Sequence, residues 1–146
     1  MPISDQEPVS LTPEEVQTVI RQGLPVAREC GLCVELGPHG GIRVRQPFDE
    51  KQIRPGGTIS GPAMMGLADA AMYAAILARL GRVEMAVTQN LNINFLARPK
   101  PSELVADAEI IRLGRRSAVL EVRVYSEGGD QLVAHVTGIY AIPVEK

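Results

Sequence analysis

One carboxylate, Asp69, stands in the most apolar stretch of the chain, Gly61 to Ala78. An ionised carboxyl there is costly unless something pairs with it or uses it. Two readings follow: a functional acid, or a structural one at a sheet rim that accepts hydrogen bonds from strand amides. Just before this stretch, Gly57-Thr58-Ile59-Ser60-Gly61-Pro62 reads as a helix entrance. Unpaired backbone N–H groups at a helix start, beside glycines that allow close approach, can receive developing negative charge. The same residues also suit a simply capped helix after a loop.

Other reactive residues form no complete set. Cys30-Gly31-Leu32-Cys33 has the spacing of a redox or half-zinc motif but is expected to open a strand. No second Cys pair or His pair completes four ligands, so both thiols are read as reduced and structural, with no metal. His39 falls in a turn and His135 in the last strand. Gly57-Thr58-Ile59-Ser60-Gly61 is not a G-x-S-x-G elbow, because its serine comes one place late, and no Ser-His-Asp set serves it. Phosphate-loop and dinucleotide fingerprints are absent. Arg115, Arg116 and the Arg98-Pro99-Lys100 segment are read as turn charges, with an anionic substrate as the alternative for them. One carboxylate with backbone donors can activate water but cannot readily protonate a poor leaving group. A thioester suits that limit, since its thiol leaves as a thiolate with a reference pKa of ~8.5.

The elements that must position these groups follow from periodicity. Thr12-Pro13-Glu14-Glu15 is a capping box with proline at the first helical position, opening an amphipathic helix over about 12–22 that Gly23 and Pro25 stop. Cys33–Leu36 and Ile42–Arg45 read as a hairpin, and Pro47 to Gly57 as an irregular loop. The central helix is expected over about 61–80, with Ser60 as cap and Gly81 as stop. Its apolar residues occupy every side of the helical wheel, so it must be surrounded. Four period-two runs follow, Met85–Ala97, Leu104–Leu113, Ala118–Ser126 and Gln131–Ile142, the last two joined by a Glu-Gly-Gly-Asp turn. The pattern predicts an α+β fold in which an antiparallel sheet curls around one long helix.

With 146 residues, 45% hydrophobic and 22% charged, the chain is read as one domain over 1–146. A formal net charge of −2 argues against nucleic-acid binding, as does the scarcity of aromatic residues. The N-terminus lacks a basic start followed by an apolar run, so a cytoplasmic chain is expected. The apolar window, interrupted by Asp69, is read as falling short of the ~20 residues that span a bilayer, so no membrane is expected.

Three stretches carry a family resemblance: RPGGTISGPAMMGLADAAMYAAI, AVTQNLNINFLARP and LVADAEIIRLGRRSAVLEVRVYSEGGDQLVAHVTGIYAI. Together, from Arg54 to Ile142, they resemble the hot-dog-fold thioesterases of the phenylacetate-degradation (PaaI-like) type. The resemblance implies an acyl-CoA thioesterase that needs no cofactor, coenzyme A being part of the substrate. It implies a homodimer, often paired into a homotetramer, with active sites formed across the dimer interface. Asp69 takes the place of the acid that activates water or attacks the thioester, Gly61 that of the amide polarising the carbonyl, and Thr88 that of the hydroxyl orienting the water. Gly61 of one subunit is expected to face Asp69 and Thr88 of the other. Ser60-Gly61-Pro62 departs from the family's His-Gly-Gly, and Arg54 stands where a polar side chain, often Asn, is usual. His39-Gly40-Gly41 is a decoy that precedes a strand. Substrate contacts are expected from Arg54, Ser60, Pro62, Met65, Tyr73, Asn90, Arg115 and Arg116. Met64, Met65, Met72 and Tyr73 suit either an acyl pocket or core packing. Two rival functions remain at this point: a hot-dog enoyl-CoA hydratase or dehydratase, which would pair an acid with a histidine, and a non-catalytic acyl-CoA binding module.

Overall fold

The computed structural model describes residues 10–126 and 131–144. The expected Glu127–Asp130 turn lies outside the described residues. Helix α1, Pro13–Gly23, opens on a reciprocal capping box in which the Glu15 amide donates to Thr12 Oγ1 at 3.2 Å and the Thr12 amide to Glu15 Oε1 at 3.0 Å. Its apolar stripe, Val16, Val19 and Ile20, is buried. The sequence reading took Gly23 and Pro25 as a stop, but a second helix follows at once, α2, Pro25–Cys30. Proline at the first helical position loses no needed hydrogen bond, so Pro25 starts a helix. It also holds Leu24 extended, which separates the two helices. Cys30 therefore ends α2, and only Cys33 opens a strand.

Strands β1 (Cys33–Leu36) and β2 (Ile42–Gln46) form the expected hairpin. The segment read as an irregular loop contains a 3-10 turn, Glu50–Gln52, and a small second hairpin of β3 (Ile53–Arg54) and β4 (Thr58–Ile59). Gly56 and Gly57, at φ +101° and +78°, make that turn. Two-residue strands are too short to show a period, which is why the sequence concealed them. The Ser60 amide donates to the Gln52 carbonyl at 2.8 Å and so fastens the turn to the start of α3, Gly61–Leu80.

After α3 come β5 (Val87–Phe95), β6 (Leu104–Leu113), β7 (Ser117–Ser126) and β8 (Gln131–Ala141). Six strands form one antiparallel sheet in the order β1-β2-β6-β7-β8-β5, with α3 packed on its inner face. This is the α+β hot-dog arrangement, a sheet wrapped on one long helix. Leu67, Met72, Ile76 and Leu77 of α3 are fully buried against it, each contributing about 1.5–3 kcal/mol of apolar burial. Gly138 on β8 permits the close approach, because a Cβ there would lie 2.5 Å from Met72 Sδ.

Two expectations about α3 need correction. The helix has 20 residues and is long and apolar enough to cross a membrane, so the window is not short as it reads from the sequence. Nor is it covered on all sides. Pro62, Met65 and Gly66 are exposed and Asp69 half-buried, a stripe at helical spacing on one face that nothing among the described residues fully covers.

Candidate active site

Asp69 sits midway along α3, where the helix passes beneath the paired strands β5 and β8. Thr88 of β5 and Tyr140 of β8 are register partners. The Thr88 hydroxyl donates to Asp69 Oδ1 at 2.6 Å, and the Tyr140 hydroxyl donates to the same oxygen at 2.7 Å. Tyr140 also lies 3.1 Å from the Asp69 carbonyl oxygen. Two hydroxyls thus fix one carboxylate oxygen and leave Oδ2 to face the adjoining cleft. Neither strand-amide bonding nor an ion pair holds Asp69 among the described residues.

A β-bulge makes this arrangement possible. Leu91 and Gly138 are partners, as are Ile93 and Val136, and these pairs face the helix. Strict alternation back from Leu91 would turn Thr88 outward. The register shift between Thr88 and Asn90 adds one residue and returns Thr88 to the inner face. Asn90 pairs with Ile139, between the inward positions Gly138 and Tyr140, so it stands on the outer face.

Tyr140 is 3% exposed. Burial pushes its phenol far above the ordinary value, opposed by the hydrogen bond with Thr88 and reinforced by the neighbouring Asp69 carboxylate, so it remains a donor. Its ring stacks on Tyr73 at 6.3 Å between centroids, and the Tyr73 hydroxyl donates to the Glu84 carbonyl at 3.0 Å. Sequence reading missed Tyr140, because a tyrosine in a period-two strand passes for core. Its signal was parity with the inward positions Val136 and Gly138.

The cleft beside Asp69 has a volume of about 780 Å³, within the ordinary range for small-molecule sites. Pro62, Tyr73 and Thr88 line it with Asp69 and Tyr140, and Leu24, Val26 and Ala27 at the start of α2 form an apolar wall. The other expected contacts lie elsewhere. Arg54 is exposed on β3, and Met65 is exposed on the open stripe of α3. Ser60 Oγ accepts from the Ala63 amide at 3.2 Å, so it acts as helix cap. Met64 and Met72 are buried in the core. Arg115 and Arg116 lie in the turn before Ser117, and the ladder Ser117–Ala141–Val87 puts that turn at the same end of the sheet as the cleft, two strands or about 10 Å away.

Gly61 is the first residue of α3, where an N–H has no intrahelical acceptor. A Cβ at Gly61 would lie 3.1 Å from the Phe95 ring. Eight residues of helix separate Gly61 from Asp69, about 12 Å, so one carbonyl cannot meet both groups of the same chain. The histidines lie outside the cleft: His39 Nδ1 is 3.4 Å from Glu109, and His135 Nε2 is 2.7 Å from Glu121 on the outer face. No cluster of His, Cys, Asp or Glu suited to a metal occurs among the described residues.

Comparison with known proteins bears on this geometry. Residues 56–133 match the family model described as the thioesterase superfamily. A candidate esterase of Saccharolobus solfataricus is 29% identical over 133 residues, covering 90% of this chain and 86% of that protein. The crystal structure of a candidate thioesterase from a Silicibacter species superposes with a TM-score of 0.80 at 32% identity, over 94% of this chain and 96% of that one. The PaaI protein of the E. coli phenylacetic acid degradation operon gives 0.76 at 17% identity, over 90% and 93% of the two chains, a likeness of fold alone.

Proposed function

The chain belongs to the thioesterase superfamily, and from that premise we propose that it hydrolyses an acyl-CoA thioester to the free acid and coenzyme A, as a PaaI-like enzyme. The observation that carries this reading is the Asp69 carboxylate, held at Oδ1 by Thr88 and Tyr140 with Oδ2 open to the cleft. Oδ2 takes a proton from water while the water oxygen attacks the thioester carbonyl carbon. Thr88 and Tyr140 keep the carboxylate aimed, and Thr88, exposed at the strand edge, also orients the water. The oxyanion forms against the Gly61 amide, the C–S bond breaks, and the thiolate recovers a proton from Asp69 or solvent. In an alternative first step Oδ2 attacks the carbonyl carbon directly, the C–S bond breaks and the thiolate leaves, and water cleaves the resulting anhydride to the free acid and the Asp69 carboxylate.

The 12 Å between the two groups supports a homodimer in which the Gly61 amide of one subunit serves Asp69 and Thr88 of the other. Two further features favour it. Strand β5 ends the sheet with one edge unpaired among the described residues, and its Val87 and Phe95 are 57% and 50% exposed beside the open stripe of α3. An unpaired edge with apolar flanks is a surface for a second chain. Dimers pair into a tetramer in this reading, and Arg115 and Arg116 meet the coenzyme's phosphates at the cleft end of the sheet.

The test is thiol release from a panel of short, aromatic and long acyl-CoAs by the wild type and by Asp69→Asn, which keeps the shape and removes the base. Loss of about a thousandfold or more is expected for a group acting both as proton acceptor and as electrostatic partner. Near wild-type turnover by Asp69→Asn on the best ester refutes the assignment. Conversion of an enoyl-CoA to the 3-hydroxyacyl ester without thiol release would favour a hydratase instead.

A further inference from the structure

The cleft is lined by two buried carboxamide side chains that the hydrolysis scheme does not use. Gln46 ends β2 and Gln52 ends the 3-10 turn Glu50–Gln52; they are 7% and 9% exposed, and both line the cleft. Gln52 Oε1 accepts from the Asp49 amide at 3.3 Å. Among the described residues its NH2 group has no acceptor, and the Gln46 carboxamide has no partner at either end. No sealed side-chain polar atom lacks a partner among the described residues, so these free amide groups open into the cleft. A buried amide without a partner is unfavourable, and a ligand that supplies the missing bond gains accordingly.

The surroundings define that ligand further. Leu24, Val26, Ala27, Leu32 and Ala63 give the cleft apolar walls, suited to a hydrocarbon segment. Asp69 and Glu84 are its acidic lining residues, and among the described residues no Lys, Arg or His lines it, so an anionic substituent would be repelled. A hydroxyl can donate to Gln46 Oε1 and accept from either NH2 group, while a ketone or amide carbonyl can accept.

Building on the thioesterase reading, we infer that the cleft selects acyl groups bearing a neutral hydrogen-bonding substituent, a hydroxyl or carbonyl, remote from the thioester, and that Gln46 and Gln52 recognise it. The pantetheine arm also carries amides and a hydroxyl, but it must lead out to solvent, whereas both glutamines are more than nine-tenths buried.

The experiment compares butanoyl-, hexanoyl- and octanoyl-CoA with their ω-hydroxy counterparts, by kcat/KM and by equilibrium binding. Wild type and Gln46→Leu are run in parallel, with Gln46→Met as a second variant if leucine prevents folding. Wild type should favour the hydroxylated ester by about tenfold or more at one chain length, and the variant should bring that ratio to about one. Equal handling of every pair by wild type overturns the inference. So does a Gln46 variant that weakens both members of a pair alike and keeps their ratio, the mark of contact with the pantetheine arm. A binding preference without hydrolysis sinks the hydrolase reading and leaves this subsite standing. Hydrolysis without preference does the reverse.

Discussion

Tyr140→Phe removes one hydroxyl from the site and little else. The phenylalanine ring can keep the stacking on Tyr73, and the Asp69 carbonyl keeps its place in the α3 hydrogen-bond ladder. The change is loss of the 2.7 Å donor to Asp69 Oδ1, leaving Thr88 at 2.6 Å as the remaining hydroxyl on that oxygen. A hydrogen bond to a charged group contributes about 1.5–3 kcal/mol, and about 1.4 kcal/mol on a barrier corresponds to a tenfold change in rate. Without that donor the carboxylate is less firmly aimed at the reacting centre, so kcat for thiol release should fall by about 10- to 100-fold with KM little changed. Thr88→Val should lower kcat the same way, and by less, because its bond is exposed to solvent. A merely structural role for Tyr140 would lower Tm and leave kcat of the folded enzyme unchanged. A folded Tyr140→Phe enzyme with wild-type kcat refutes the positioning argument.

Three further outcomes follow from the same structure. Gly138→Ala puts a Cβ 2.5 Å from Met72 Sδ and 3.1 Å from the Asn90 carbonyl oxygen, and should cost about 1–3 kcal/mol by overpacking; an unchanged Tm contradicts this. Met65→Asp places a charge on the open stripe of α3, and should yield monomers by light scattering and abolish thiol release together, so an active monomer counts against sites shared between subunits. Glu121 is held below its ordinary value, chiefly by the hydrogen bond from His135, with Arg123 adding to it and burial opposing. Its contribution is therefore present above the ordinary carboxylate value and lost as pH falls through the lowered folded one. Glu121→Gln should cost about 0.5–1 kcal/mol at neutral pH, and a Tm difference that persists at about pH 3 is the contrary result.

The sheet and its helix were legible because each rests on a signal within one segment. Ser60 and Gly81 bracket α3, and β6, β7 and β8 are long enough to show a period of two despite register shifts at Ile110/Arg112 and Val124/Tyr125. Helix α2 was not legible, because six residues carry little periodicity and Pro25 can end one helix or begin the next. The β3–β4 hairpin was hidden by its two-residue strands. In the candidate site, Asp69 stood out by the cost of a charge in an apolar helix, a property of residue type and neighbours in sequence. Thr88 came from resemblance, since no local signal distinguishes it from an outward-facing strand threonine.

What remained hidden depends on pairing between distant segments. The bulge at Thr88/Asn90 is defined only against β8, and it decides that Thr88 faces the acid while Asn90 turns away. Tyr140 is the register partner of Thr88, and a one-residue slip of β5 would send the Thr88 hydroxyl to the outer face. Gln46 looks like an ordinary strand end until α2 and the 3-10 turn close around it, whereupon its lack of a partner acquires meaning. The open face of α3 follows the same logic one level up. Its composition calls for cover on every side, the described residues supply cover on all but one, and the side they leave bare bears the acid. A second chain would satisfy the burial that the helix composition demands and, in the same contact, bring an amide within reach of Asp69. Folding and catalysis would then impose a single requirement on this surface, which is why one charge at Met65 should remove both the dimer and the activity.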